Sequence, residues 1–186
     1  MARLLGSVHA RVVPDHSLIT VVGSGVSEPV LPDFRPDRIC YPGPDMMYLR
    51  SGSGRWHRAD VTVEAWDGRP PLERWEDCEE DRWVLSVGEV YVSLMLERPL
   101  TALLDTGPPG VYRVRVDVVG RSAIAALGYA LTPAEHLLDD QSLDGIERMR
   151  VRLWPESADG TGVLPGYAAA AAPGAVDPLD PYAIDT

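Results

Sequence analysis

The sequence GVYRVRVDVV, residues 110–119, alternates apolar and polar side chains more regularly than the rest of the chain. Tyr112, Val114, Val116 and Val118 share one side, and charged residues lie between them. Successive side chains of a β-strand point to opposite faces, so a period of two residues is typical of a half-buried strand. This stretch therefore predicts a strand whose valine side faces a hydrophobic core.

Shorter stretches with the same period lie on both sides of residues 110–119. In residues 146–154, three apolar side chains alternate with three arginines, and the arginines are predicted to point outward. Gly88-Glu89 is interpreted as the two-residue turn of a β-hairpin, and Pro29 to Pro44 as an irregular loop. About eight short strands, punctuated by Gly and Pro, predict an all-β fold, an antiparallel β-sandwich. The remaining predicted strands cover residues 8–12, 17–22, 46–50, 61–66, 82–87 and 90–96.

Helix is predicted at one place, and the end of the chain differs in composition. Thr132-Pro133-Ala134-Glu135 has the spacing of a capping box with proline at the first helical position, which predicts one short helix. Residues 122–129 fit either a strand or a helix. Residues 155–186 contain five prolines, five acids and no arginine. We therefore expect a β-sandwich domain over residues 1–155 and an irregular Pro/Ala-rich acidic tail over residues 156–186.

The chain is strongly acidic, with 28 Asp and Glu against 17 arginines and a net charge of −11. Such a field repels phosphate, so direct nucleic-acid binding is not expected. No apolar stretch approaches the length of a membrane span, and no membrane partner is expected. Cys40 and Cys78 are too few for a disulfide framework, and His9 and Arg11 interrupt the start before a signal-peptide core accumulates. A cytoplasmic location is the expectation.

Six of the acidic residues fall within residues 73–81, which we name the acidic segment. One interpretation is a solvated loop between strands. The other is a surface that imitates phosphate spacing and attracts the cationic groove of an enzyme such as a nuclease. Trp75, inside the segment, would then be the aromatic anchor. The predicted partner-binding residues are Trp75, Glu76, Asp77, Glu79, Glu80 and Asp81.

Two strands carry arginines on their predicted outer side. If the strands at 111–119 and 146–154 are neighbours, those arginines share one sheet face, where like charges directly opposite each other are destabilising. Either the strands are apart, or acids such as Glu64, Glu97, Asp117 and Glu147 lie between the arginines. An internally neutralised face is one interpretation, and an anion-binding face is the alternative. The arginines are Arg113, Arg115, Arg148, Arg150 and Arg152.

Patterns that indicate catalysis or metal binding are sparse. Asp15-His16-Ser17 contains the residue types of a hydrolase triad, but a triad requires convergence in space and an oxyanion hole rather than adjacency. The histidines have no metal-ligand spacing with the cysteines, and no Gly-rich phosphate loop occurs. We therefore expect no catalytic residue, no metal and no cofactor. A small hydrolase using His16 or His57 with carboxylates remains an alternative.

The order of several sequence blocks resembles a family of small bacterial β-sandwich proteins related to competence protein J. The similarity covers residues 7–155, and its most specific element is Gly-x-Tyr-Arg-x-Arg at residues 110–115, followed by Leu153-Trp154-Pro155. Other shared blocks are Asp15-His16-Ser17, Gly54-Arg55-Trp56 and Trp83 to Val87. The resemblance implies a non-catalytic fold whose known member blocks a competence nuclease. It transfers no set of functional residues to this chain.

Two functions of different classes follow besides the hydrolase. The first is a cytoplasmic protein-binding module, most concretely an inhibitor or immunity protein for a basic enzyme such as a nuclease or toxin. The second is a structural subunit of a larger assembly, joined through strand edges and the tail. The acidic charge, the acidic segment and the resemblance favour the first.

Overall fold

The structure, a computed structural model, describes residues 1–35, 37–53, 57–94, 98–130 and 143–156, and for residues 128–130 it describes the backbone alone. Within this part of the chain there are ten strands and one helix. The described elements are β1 Leu4–Val12, β2 Leu18–Gly23, β3 Cys40–Gly43, β4 Met46–Arg50, β5 Ala59–Trp66, β6 Asp77–Leu85, β7 Glu89–Ser93, β8 Leu104–Asp105, β9 Gly110–Val119, α1 Arg121–Ala130 and β10 Arg148–Pro155.

The strands form two five-stranded sheets. Sheet A has the order β1-β5-β10-β9-β6, and sheet B has the order β3-β4-β2-β7-β8. Buried side chains of both sheets belong to one hydrophobic cluster, in which the valine side of β9 meets residues such as Ile19, Met47 and Val92 of sheet B. Each such side chain contributes about 1.5–3 kcal/mol through its removal from water. The expectation of a mainly β protein, with the valine side of β9 in the core, is confirmed.

Several details of the prediction are wrong. The strands number ten rather than about eight, because β8 has two residues and β3 lies inside the proline-rich stretch interpreted as a loop. The predicted hairpin does not form, since β6 belongs to sheet A and β7 to sheet B. The pairing is not purely antiparallel, because β10 runs parallel to β5. Residues 122–129, left open between strand and helix, lie in α1.

Other expectations fall outside the described residues. The helix predicted from Thr132 and the tail after residue 156 belong to this group, as does Glu97. Among the described helices, none is both long and apolar enough to cross a membrane. Gly120 directly follows β9 and has a φ of +80°. A Cβ at this position would lie 2.0 Å from the carbonyl oxygen of Ile146. Glycine is therefore required where α1 begins beside the entry to β10.

Candidate partner-binding site

The acidic segment divides between a connection and an edge strand. Residues 67–76 connect β5 to β6, and two outward-pointing arginines of β10 contact them: Arg152 donates to the carbonyl oxygen of Pro71 at 2.7 Å, and Arg150 contacts Glu73. Residues 77–81 belong to β6, which lies at one edge of sheet A. The segment is therefore not a free loop, because half of it is strand and the rest is held against the outer face of sheet A.

Trp75, the predicted aromatic anchor, is half-buried against its own chain. The guanidinium carbon of Arg150 lies 4.9 Å from the centroid of the Trp75 ring, within the range of a cation–π contact. The same guanidinium donates to Glu73 at 2.7 and 2.8 Å. Trp75 is therefore partly covered by Arg150, and the rest of its surface is only partly exposed.

Glu76 and Asp77 form no ion pair with an arginine or histidine in the described part of the chain. Glu76 is exposed, and its Oε2 accepts a hydrogen bond of 2.7 Å from the backbone N–H of Gly120. Asp77 is half-buried and forms no ion pair with any residue that the structure describes. These two carboxylates are the members of the acidic segment best able to act on an approaching cationic surface.

Glu79 and Asp81 hold the chain that precedes β3. Glu79 accepts from Arg38 Nε at 2.6 Å and from the backbone N–H of Ile39 at 2.6 Å, and Asp81 accepts from the other side of the same guanidinium. Partial burial disfavours the charged guanidinium, but the hydrogen bonds to Asp81 and Glu79 outweigh this and raise the pKa of Arg38. We name this arrangement the Arg38 clamp. It joins sheet A to sheet B, and since two carboxylates share one cation, one negative charge stays uncompensated.

Glu80 points to the outer face of sheet A and is surrounded by arginines. Arg69 donates to it at 3.0 Å, while Arg113 and Arg115 each lie 3.5 Å from its oxygens. Partial burial works against the carboxylate, but the hydrogen bond and charge of Arg69 and the charge of Arg115 outweigh it, so the pKa of Glu80 lies below its usual range. Glu80 therefore belongs to an internal ion-pair network.

The two arginine-bearing strands are neighbours. β9 and β10 pair antiparallel, with Arg115 directly opposite Arg152. Asp117 compensates the repulsion, because it accepts from Arg115 Nε at 2.8 Å and from Arg152 Nε at 3.0 Å. Asp117 and Arg152 are both fully buried, so the outward-pointing arginine predicted at 152 is covered by the connection rather than exposed to solvent. A buried pair of this kind is strongly destabilising when one partner is removed.

The other arginines of this face have acidic neighbours or face solvent. Glu64, one of the acids expected between the strands, lies 3.5 Å from Arg150. Arg113 contacts Glu80, and Arg148 is exposed with no ion pair among the described residues. An internally neutralised face is therefore what the described residues form. Glu147, expected on the same face, lies elsewhere.

Glu147 takes part in a buried polar cluster with His57, one of the two histidines of the hydrolase alternative, and with Ser51. Its Oε2 lies 3.0 Å from His57 Nε2 and accepts from Ser51 Oγ at 2.5 Å, while its Oε1 accepts from the Gly52 backbone N–H at 2.8 Å. Ser51 also approaches His57 through the same Nε2 atom, at 3.2 Å. A proton relay needs the serine and the carboxylate on opposite ring nitrogens. This cluster, buried on all three side chains, has the geometry of a structural brace between β4 and β10.

His16, the other histidine of the hydrolase alternative, lies in an exposed turn. Asp15 and Leu18 exchange backbone hydrogen bonds of 2.9 and 2.8 Å, and His16 and Ser17 have φ values of 50° and 69°. The His16 ring contacts the adjacent Asp15 carboxylate at 2.7 Å. Two residues of positive φ in a two-residue turn are typical of type I′ geometry. The motif Asp15-His16-Ser17 forms the turn between β1 and β2.

The two cysteines are both free, Cys40 buried and Cys78 exposed. Burial, reinforced by the charge of Glu79, raises the pKa of the Cys40 thiol, which disfavours the reactive thiolate in the folded protein. Among the described residues, no group of three or more His, Cys, Asp or Glu could hold a metal ion.

The fold resembles two solved structures. ComJ from Bacillus subtilis, described as an inhibitor of the DNA-degrading activity of NucA, matches with a TM-score of 0.53 and 8% identity, over 83% of this chain and 98% of ComJ. A protein described as crocagin biosynthetic gene J matches with a TM-score of 0.46 and 19% identity, over 82% of this chain and 100% of its own length. The likeness to competence protein J expected from the sequence is thus confirmed for the fold. No protein-family model and no curated protein sequence matches this chain.

Proposed function

We propose that this protein is a non-catalytic protein-binding module of the inhibitor or immunity type, which acts in the cytoplasm on a basic enzyme such as a nuclease. The observation that carries the proposal is the match of most of the chain to the fold of ComJ, a nuclease inhibitor. Fold alone does not determine function, and the negative charge of the chain is the second support for the proposal.

The charge of the chain supports a basic partner. A net charge of −11 attracts cationic proteins within about a Debye length of the surface and speeds their association. Within the acidic segment, Glu76, Asp77 and the uncompensated charge of the Arg38 clamp lie along one edge of sheet A. In this proposal they steer the enzyme toward the protein, while Glu80 and Glu73 stabilise the fold.

The proposal is tested by immobilising the protein and identifying which proteins it retains from an extract of the source cells, at low and at moderate salt. We expect one enzyme with a basic surface to be retained at low salt and released as salt rises, because screened charges attract less. The purified enzyme should lose its activity when an equal amount of the protein is added. Retention of nothing but the protein itself, or an enzyme that stays fully active, would contradict the proposal and favour an assembly subunit.

The double substitution Glu76→Gln and Asp77→Asn tests the role of the acidic segment. Glutamine keeps the acceptor for the Gly120 N–H, so the fold is conserved while two charges are lost. We expect association with the captured enzyme to slow about tenfold at low salt, with dissociation little changed. The matched control is Glu89→Gln with Asp105→Asn, which removes two charges from paired positions of β7 and β8. Equal slowing in both variants would assign steering to net charge alone.

A further inference from the structure

The connection between β2 and β3, described over residues 24–35 and 37–39, packs on the outer face of sheet B at β3 and β4. On β3 and β4, Tyr41 and Tyr48 alternate with residues of the main core, so they point to the opposite side of the sheet. Val26 packs against the cluster that these tyrosines form with Met46, and the Phe34 ring contacts the tyrosines edge-on at centroid distances of 5.0 and 5.6 Å. We name residues 24–39 the β2–β3 loop.

Both ends of the β2–β3 loop are fixed. At its start, Val26 donates a backbone hydrogen bond of 3.1 Å to Gly23. Near its end, the carbonyl oxygen of Arg35 accepts from an Arg50 guanidinium nitrogen at 2.8 Å and from a tyrosine hydroxyl. The Arg38 clamp then ties the loop to β6. A loop held in this way loses little conformational entropy when a partner binds.

Between these fixed ends the loop exposes apolar side chains. Val30 is 59% exposed, Leu31 67% and Phe34 37%. Single exposed apolar residues are ordinary on protein surfaces, but these three fall within five residues and form a local apolar group. Val30 and Leu31 lie between Pro29 and Pro32, whose rings restrict the backbone there. Such a group is the kind of anchor that enters a pocket at the centre of an interface.

Carboxylates flank the apolar group. Glu28, Asp33 and Asp37 are exposed, and Glu28 and Asp37 form no ion pair with any residue in the described part of the chain. The nearest cation to Asp33 is Arg35, at 4.0 Å. Glu28 and Asp37 therefore leave two unpaired negative charges in the loop, whereas Asp33 is paired with the exposed Arg35. An apolar centre with a charged rim has the anatomy of a protein-binding site.

We propose that the β2–β3 loop is the main docking element for the basic enzyme, with Val30 and Leu31 entering an apolar pocket that basic side chains border, while Phe34 stays packed on Tyr41 and Tyr48. This inference rests on the proposed function and specifies its interface. Complementary charge assigns the partner, because the free carboxylates of the loop match a cationic rim and repel an acidic one. The acidic segment then steers the encounter, and the loop supplies the contacts that keep the complex together.

The double substitution Val30→Ser and Leu31→Ser tests the inference. Both side chains are exposed, so the fold and the unfolding midpoint should not change. We expect the dissociation constant for the captured enzyme to rise about 100-fold, almost entirely through faster dissociation. The matched control is Leu72→Ser with Leu103→Ser, two leucines that are 71% and 54% exposed in other connections. The control should bind within about threefold of the wild type.

The outcomes separate this inference from the proposed function. If the wild type binds and inhibits the enzyme while V30S/L31S binds equally well, the loop is not the docking element and the inference is wrong, although the proposed function stands. Equal weakening in V30S/L31S and L72S/L103S would also overturn it, since any exposed leucine would then serve. If the wild type retains no basic enzyme, the proposed function fails and this inference fails with it.

Discussion

The acidic segment and the β2–β3 loop are both acidic, yet the fold uses their charges in opposite ways. Within the acidic segment, Glu73, Glu79, Glu80 and Asp81 contact arginines of the same chain. Within the loop, the acids remain exposed and the apolar residues are uncovered. The density of acids along a sequence is therefore a poor measure of the charge available to a partner, because arginines from other parts of the chain pair with four of the six acids in the denser segment.

The largest expected effect comes from removing the arginine that anchors the connection over sheet A. Arg152→Met leaves Asp117 buried beside Arg115 alone and frees the carbonyl oxygen of Pro71. We expect the free energy of unfolding in urea to fall by about 3 kcal/mol. Arg148→Met, in the same strand but exposed, is the matched control and should change it by less than about 0.5 kcal/mol. Similar losses in both would mean that the buried pair adds nothing.

A smaller effect is expected at the Arg38 clamp. Glu79→Gln removes one of the two negative charges that contact Arg38 and weakens the acceptor for the Ile39 N–H. We expect the free energy of unfolding to fall by about 1–2 kcal/mol. Glu28→Gln, in the β2–β3 loop, should have no measurable effect. The two variants compare an ion-paired acid of the acidic segment with an unpaired acid of the β2–β3 loop.

The alkylation rates of the two cysteine thiols report on local structure near the clamp in the Glu79→Gln variant. Cys78 is exposed and should react at once in both proteins, whereas buried Cys40, next to the clamp, should react faster in E79Q than in the wild type. Unchanged Cys40 labelling together with unchanged stability would show that the clamp does not hold the loop.

The smallest effect concerns pH and Glu80. Because the pKa of Glu80 is lowered in the folded protein, its ionised form stabilises the fold above the ordinary glutamate pKa of about 4.3. This contribution is lost as pH falls from that value through the lowered one. The difference in unfolding free energy between the wild type and E80Q should therefore shrink over that interval. A difference that stays constant as pH falls would contradict the network around Glu80.

The strands with strict alternation were predictable from the sequence. The core faces of β5, β9 and β10 follow from residues such as Val61, Val116 and Val151, since an alternating apolar pattern can bury one face in any sheet order. The hairpin predicted at Gly88-Glu89 does not form, and the structure gives Gly88 a different role. Gly88 lies against the backbone of Gly107, whose carbonyl oxygen would be 1.5 Å from a Cβ at position 88, so the glycine serves a close approach between chain segments.

The candidate site was less predictable than the fold. The sequence located the acidic segment and Trp75, but not the partners that neutralise them: Arg38 contacts Glu79 across 41 positions, and Arg150 contacts Glu73 across 77. No spacing rule connects residues so far apart. The β2–β3 loop gave no signal beyond its prolines, because exposure depends on what the rest of the chain covers.

By itself, the sequence determined the β class, the buried faces of the regular strands and the overall negative charge, since these depend on residue type and short-range period. Tertiary structure decided which strands share a sheet, which acids keep their charge and which apolar residues stay exposed. Those properties depend on long-range pairing, such as β10 lying between β5 and β9, and on burial that distant segments provide. Short-range patterns contain no information about which distant residues will meet.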